Sequence, residues 1–148
     1  MVGNIREVVA EWRGGNAFWG RNPAGGCVQM GSLNGASGVS PMEFLLLGLA
    51  GCTGADVVSI LEKKRQTLQR FEIRVRGVRR ETHPKVYTEI EVLYRLWGKA
   101  LESEAVEQAI RLSKEKYCSA SAMLGAVASI HSEYEINPQE DEDSLSKM

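Results

Sequence analysis

The sequence predicts an α+β fold, with helices segregated from an antiparallel sheet. Three observations carry that expectation. Residues 71–79 (FEIRVRGVR) and 86–97 (VYTEIEVLYRLW) alternate apolar and polar side chains in stretches, the period of a half-buried strand. Residues 44–60 (FLLLGLAGCTGADVVSI) are apolar almost throughout, which reads as a buried helix. The order of segments is three β segments, a long helix, two strands, a helix, a short helix and a strand.

Residues 5–12 (IREVVAEW) mix alternation with β-branched content and predict a strand. Gly14, Gly15 and Asn16 make a turn. AFWG and CVQMG, around Asn22-Pro23-Ala24-Gly25-Gly26, read as a hairpin. Residues 32–40 (SLNGASGVS) are a loop without periodicity. Ser40 then caps a helix, with Pro41 preorganised at its first position and Glu43 placed for a capping box. That helix is expected to run from Pro41 to about Thr67, with its basic end suiting the helix dipole. The strands 71–79 and 86–97 are expected to pair antiparallel through a turn at Glu81 to Lys85. Leu101 to Tyr117 carries apolar residues at helical spacing. Cys118, Ser119 and Ser121 precede AMLGAVASI, a short helix, and HSEYEI closes as a strand.

A length of 148 residues fits one core. We expect a single domain over 1–136 and an acidic, disordered tail over 137–148, which contains the run Glu140-Asp141-Glu142-Asp143. Eighteen basic residues against nineteen acidic ones leave no strong field, which disfavours nucleic acid as a partner. The apolar stretch 44–60 contains Asp56, and Glu62, Lys63, Lys64 and Arg65 follow it. A spanning helix needs about 20 mostly apolar residues, so no membrane partner is expected. Met1 to Ala10 show no apolar signal region, and a cytoplasmic location is the expectation.

The long helix asks for a partner. A helix that is apolar all round must be covered on every side, and a single sheet covers one. Gly48, Gly51, Cys52 and Ala55 form a stripe of small residues that permits close approach. A second copy across a two-fold axis, a homodimer, is the expected cover.

Three cysteines are too few and too odd for a disulfide scaffold. In a reducing compartment such residues point to catalysis, redox sensing or metal binding rather than structural stapling. Cys118 stands at the expected N-terminus of the short helix, where free N–H groups favour a thiolate. Cys52 sits mid-helix with Asp56 one turn on, a like charge that opposes ionisation of its thiol. Glu43 precedes Cys52 by nine residues, which puts them on opposite sides of a straight helix, roughly 13 Å apart along its axis. A broken helix, or an antiparallel helix from a second subunit, could bring Glu43 to Cys52; the burial argument already calls for the second copy, so the expected site lies at a subunit interface. Cys27 has no capping, basic or paired neighbour and is expected to be passive. His83 and His131 show no ligand spacing, so no metal is expected.

Ser40-Pro41-Met42-Glu43-Phe44-Leu45, followed by Gly48-Leu49-Ala50-Gly51-Cys52, resembles the helix motif of the OsmC/Ohr family (osmotically inducible protein C and organic hydroperoxide resistance proteins). Tyr117-Cys118-Ser119-Ala120-Ser121-Ala122-Met123-Leu124 resembles the second cysteine motif of that family. Asp56 to Leu61 and Glu115 to Cys118 look most like a less characterised subgroup. The resemblance implies an intertwined homodimer and a thiol peroxidase for organic hydroperoxides. It implies Cys52 as the nucleophile, Cys118 as the resolving thiol and Glu43 as the residue that positions an arginine. It implies no cofactor, and a thiol reductant to close the cycle. Arg13 and Arg21 are the nearby arginines, and neither sits in a motif that matches the family. The competing reading is a non-catalytic dimer of the same fold that binds a small molecule or senses redox state.

Overall fold

The computed structural model describes residues 2–32 and 37–140. By internal packing the chain forms two compact units, one ending at Leu45 and the other beginning at Leu46.

The first unit contains a 3₁₀ turn, Val2–Asn4, and three short strands: β1 (Val9–Trp12), β2 (Phe18–Arg21) and β3 (Cys27–Met30). They pair antiparallel in the order β1-β2-β3. The β1–β2 turn needs positive φ at Gly14 (103°) and Gly15 (54°), which glycine adopts without a Cβ clash. β1 is shorter than the expected strand 5–12. Its four residues are all exposed, as are Ile5 and Val8 ahead of it. Residues 33–36 of the expected loop lie outside the described residues.

Helix α1 (Pro41–Lys63) begins as the sequence predicts. The Ser40 N–H donates to Glu43 Oε1 at 2.9 Å, and the Glu43 N–H donates to Ser40 Oγ at 3.2 Å. This reciprocal pair satisfies two amide donors that the helix start would otherwise leave free. The helix stops four residues before the expected Thr67. Arg65 adopts φ 58°, its N–H reaches the Glu62 carbonyl, and the Gln66 N–H reaches the Leu61 carbonyl. Those two bonds are a Schellman cap, here built on a non-glycine residue. Leu49, Thr53, Gly54, Val57 and Leu61 form the buried face of α1. Leu45 and Leu47 remain about half exposed. α1 is long and apolar enough to cross a membrane by length and composition. Its buried stripe and its hydrogen-bonded Thr53 fit a helix laid on a sheet instead.

The second sheet is β4 (Arg70–Arg79), β5 (Tyr87–Trp97) and β6 (Ser129–Ile136), in the order β4-β5-β6. β4 and β5 pair antiparallel, as expected. β6 pairs parallel to β5, so this sheet is mixed. Parallel neighbours need a long crossover, and the chain from Gly98 to Ala128 supplies it with two helices. Alternation turns Ile90, Val92, Tyr94 and Leu96 into the core. A Cβ on Gly54 would stand 2.8 Å from Ile73 Cδ1, so glycine lets α1 approach β4 closely.

The expected helix 101–117 divides. α2 (Ser103–Leu112) buries Ala105, Val106, Ala109 and Ile110. Ser113–Tyr117 then widens into a π turn, closed by the Cys118 N–H on the Ser113 carbonyl at 2.7 Å. α3 (Ser119–Gly125) starts and ends earlier than expected, because Cys118 caps it and Ser129 already belongs to β6. Of the expected tail, 137–140 are hydrogen-bonded to the second sheet. Asn137 exchanges bonds with Gly98, and the Pro138 carbonyl accepts from Trp97 Nε1. Residues 141–148 lie outside the described residues.

The αL residue that ends α1 yields a stability prediction. Arg65→Gly should raise unfolding free energy by about 0.5–1 kcal/mol, because relief of the left-handed strain exceeds the added chain entropy. A urea midpoint at or below that of the parent protein would show that the Arg65 side chain offsets the strain.

Candidate functional site

Cys52 projects from the middle of α1 and Cys118 caps α3. The fold brings these two sequence-predicted residues near each other: Cys52 is close enough to act on the Cys118 thiol and helps push it up. Both are free thiols, with Cys52 half-buried and Cys118 buried. The π turn makes this possible. It adds a residue to the helical turn before Cys118, and so redirects the chain into α3.

The Cys118 sulfur accepts a hydrogen bond from the Ser121 N–H at 3.3 Å. The sequence predicted that this helix terminus would favour a thiolate. Burial outweighs it. Burial pushes the Cys118 thiol up, the Ser121 hydrogen bonds pull it down, and the neighbouring Cys52 pushes it up again. The net direction is upward from the ordinary 9.0, so Cys118 is held as a neutral thiol.

Glu43 stands in the capping box. The Ser40 backbone and hydroxyl hydrogen bonds hold its carboxyl below the ordinary 4.5. Arg13 and Arg21 lie on the first sheet, and both pair with Glu11, at 3.7 and 3.3 Å. The Arg13 guanidinium also lies over the Trp19 ring. Cys27 is exposed on β3, opposite Arg21 in the strand register. His131 lies on β6 opposite Glu91, and His83 in the β4–β5 turn.

Beside the thiols lies a buried polar cluster that sequence reasoning missed. Thr53 Oγ1 is 2.7 Å from Tyr94 Oη and 2.7 Å from Ser113 Oγ. Ser113 Oγ donates to Asp56 Oδ2 at 2.9 Å. Tyr94 is raised above its ordinary value, first by burial, against the pull of polar contacts with Thr53 and Ser132. Cys118 and Asp56 add to the rise. Asp56 opens onto a surface cavity of about 400 Å³, which Lys63, Lys64 and Tyr117 also line. One signal was available: Thr53 is the hydroxyl residue in a stripe of Leu49, Val57 and Leu61 at four-residue spacing.

Residues 34–135 match the family model described as OsmC-like protein. The chain belongs to the OsmC-like family. It is 37% identical over 126 residues to protein YhfA of Escherichia coli K12, a match covering 85% of this chain and 94% of YhfA. The fold matches the crystal structure of a hypothetical protein from Aquifex aeolicus VF5, with TM-score 0.83 and 39% identity. That match covers 93% of this chain and 99% of the other. The organic hydroperoxide resistance protein OhrB of Bacillus subtilis shares the fold at TM-score 0.60 and 20% identity, over 88% of this chain and 98% of OhrB. Organic hydroperoxide resistance proteins thus share the OsmC-like fold.

The upward shift of Cys118 is testable in a Cys27→Ser variant that keeps Cys52 in place, with the Cys118 thiol followed by its own assigned 13Cβ chemical shift. It should titrate with a midpoint above 9. A midpoint below about 8 would show that the α3 terminus outweighs burial.

Proposed function

We propose that this OsmC-like protein is a thiol-dependent peroxidase that reduces organic hydroperoxides. One observation supports the reading: two free thiols from separate elements stand near enough to influence each other, one half-buried and the other buried and held neutral. Cys52 is the more accessible of the pair and serves as the nucleophile. Its thiolate attacks the distal peroxide oxygen, the O–O bond breaks, and the alcohol leaves after taking up a proton. Cys52 is then a sulfenic acid. The Cys118 sulfur bonds to it, and the Cys118 proton leaves with the hydroxyl group as water. Two equivalents of a thiol reductant return the disulfide to two thiols. No cofactor takes part.

Glu43 positions the arginine that favours the Cys52 thiolate. It comes from the α1 helix of a second subunit in a homodimer. The half-exposed Leu45 and Leu47 on α1, with the exposed Tyr117, Met123 and Val127, give that second copy an apolar surface to cover. The reaction runs in the cytosol, where thiol reductants are available.

Rapid-mixing kinetics test the chemistry. Reduced protein should lose its Cys52 thiol to cumene hydroperoxide at least about a hundredfold faster than free cysteine does, and faster than to hydrogen peroxide. Cys118→Ser should leave Cys52 as a sulfenic acid after one equivalent, trapped by dimedone and weighed by mass spectrometry. Thiol loss no faster than for free cysteine would reject the peroxidase reading.

The dimer has its own check. Sedimentation equilibrium should return twice the chain mass, and Leu47→Glu should return the chain mass. A parent protein that sediments as a monomer at micromolar concentration would remove the interface site.

A further inference from the structure

The peroxidase chemistry uses two thiols and leaves the buried hydroxyls beside them without a task. Tyr94 Oη, Thr53 Oγ1, Ser113 Oγ and Asp56 Oδ2 form an unbroken line, with steps of 2.7, 2.7 and 2.9 Å. Thr53, Tyr94 and Ser113 are buried. Each hydroxyl owns one proton, which fixes the direction. Ser113 donates to Asp56, so Thr53 must donate to Ser113. Tyr94 must then donate to Thr53.

Both thiols are attached to this line. Thr53 follows Cys52 directly in α1. The Ser113 carbonyl holds the Cys118 N–H at 2.7 Å across the π turn. Ser113 therefore grips the Cys118 segment with its backbone and α1 with its side chain. Asp56, one turn after Thr53, accepts the last hydrogen bond and fixes the Ser113 rotamer.

We propose that Thr53, Ser113 and Asp56 are positioning residues, which hold Cys52 and Cys118 within bonding range of each other. The proposal rests on the peroxidase reading only in taking a Cys52–Cys118 disulfide as a state the protein visits. Its measurable content is the effective concentration of one thiol at the other.

That quantity is read at equilibrium with glutathione, with no peroxide present. The protein S–S bond forms as the S–S bond of oxidised glutathione breaks, and the two thiol protons pass to two glutathione molecules. In a Cys27→Ser background, Thr53→Val should lower the effective concentration by about tenfold or more, since it keeps the shape but loses both hydrogen bonds. Thr53→Ser should return it to within about twofold of the parent value. Asp56→Ala should lower it by loosening Ser113. Tyr94→Phe, which only removes the donor to Thr53, should lower it less than Thr53→Val. Ile90→Ala empties a core site that takes no part in the line. It should reduce stability and leave the effective concentration unchanged.

A folded Thr53→Val variant with the parent value overturns the proposal. If that variant does not fold, Asp56→Ala decides, and a parent value there overturns it equally. An Ile90→Ala effect as large as that of Thr53→Val also overturns it, because general loosening would then suffice. Failure of the peroxidase reading looks different: Cys52 would be inert to organic hydroperoxide while the glutathione series kept its order.

Discussion

The second unit is organised around a single demand: the face of α1 that carries Thr53 has to be buried. Leu49, Val57 and Leu61 supply the apolar contacts for that burial. Thr53 sits among them and brings a hydroxyl into a region without water. A buried hydroxyl left alone costs on the order of 1–3 kcal/mol, so its partners must arrive with it. Tyr94 comes from β5, and Ser113 from the end of α2. One threonine thus fixes the helix against the sheet and against the crossover, and it does so one residue from Cys52. Apolar contacts alone would tolerate a small slide of α1. Bonds of 2.7 Å tolerate much less.

The opposite face of the same sheet is held by charge. Arg95 is buried there, bonded to Glu135 at 3.1 Å, to Glu72 at 3.4 Å and to the Gln139 carbonyl at 3.1 Å. Burial opposes the charges on Arg95 and Glu72, and their mutual bonds, with Arg74 on Glu72, more than offset it. Arg70 and Arg95 both lie against the Trp97 ring. This cluster reaches the chain beyond β6, since Gln139 and Glu140 are among its partners. An acidic composition had suggested disorder from Asn137 on. Asn137 to Glu140 are nonetheless tied to the sheet, the Gln139 carbonyl to Arg95 and the Glu140 carboxylate to Arg70, and composition does not record such contacts.

How much could be read from residues alone follows the range of the interactions concerned. The capping box at Ser40 and Glu43 is local, and a four-residue motif encodes it. β4 and β5 were legible because alternation and a short turn specify an antiparallel pair. β6 was legible as a strand but not in its direction: parallel and antiparallel strands share a period of two, and the crossover decides between them. The π turn was hidden because SKEKY has ordinary helical propensity and its widening is imposed by the Ser113 and Cys118 contacts. The Thr53 line joins residues up to 60 apart in sequence, and no periodicity connects such positions. Both cysteines were visible as candidates, whereas the sign of the Cys118 shift was not. It depends on burial, which only the folded chain defines.

In the peroxidase cycle proposed above, that sign bears on how the two thiols would divide their work. A resolving thiol that ionised easily would compete for peroxide and be consumed before it could resolve anything. Burial prevents this by keeping Cys118 neutral and away from solvent. The Ser121 N–H lies ready at the sulfur all the same, so the negative charge that would form on Cys118 as its proton leaves, ahead of attack on the sulfenic acid, has a donor in place. A thiol that is poor in isolation becomes effective only towards a partner already held beside it. Chemical restraint at Cys118 is therefore useful only if geometry supplies the partner, and the buried hydroxyls between α1 and the π turn are placed to do so.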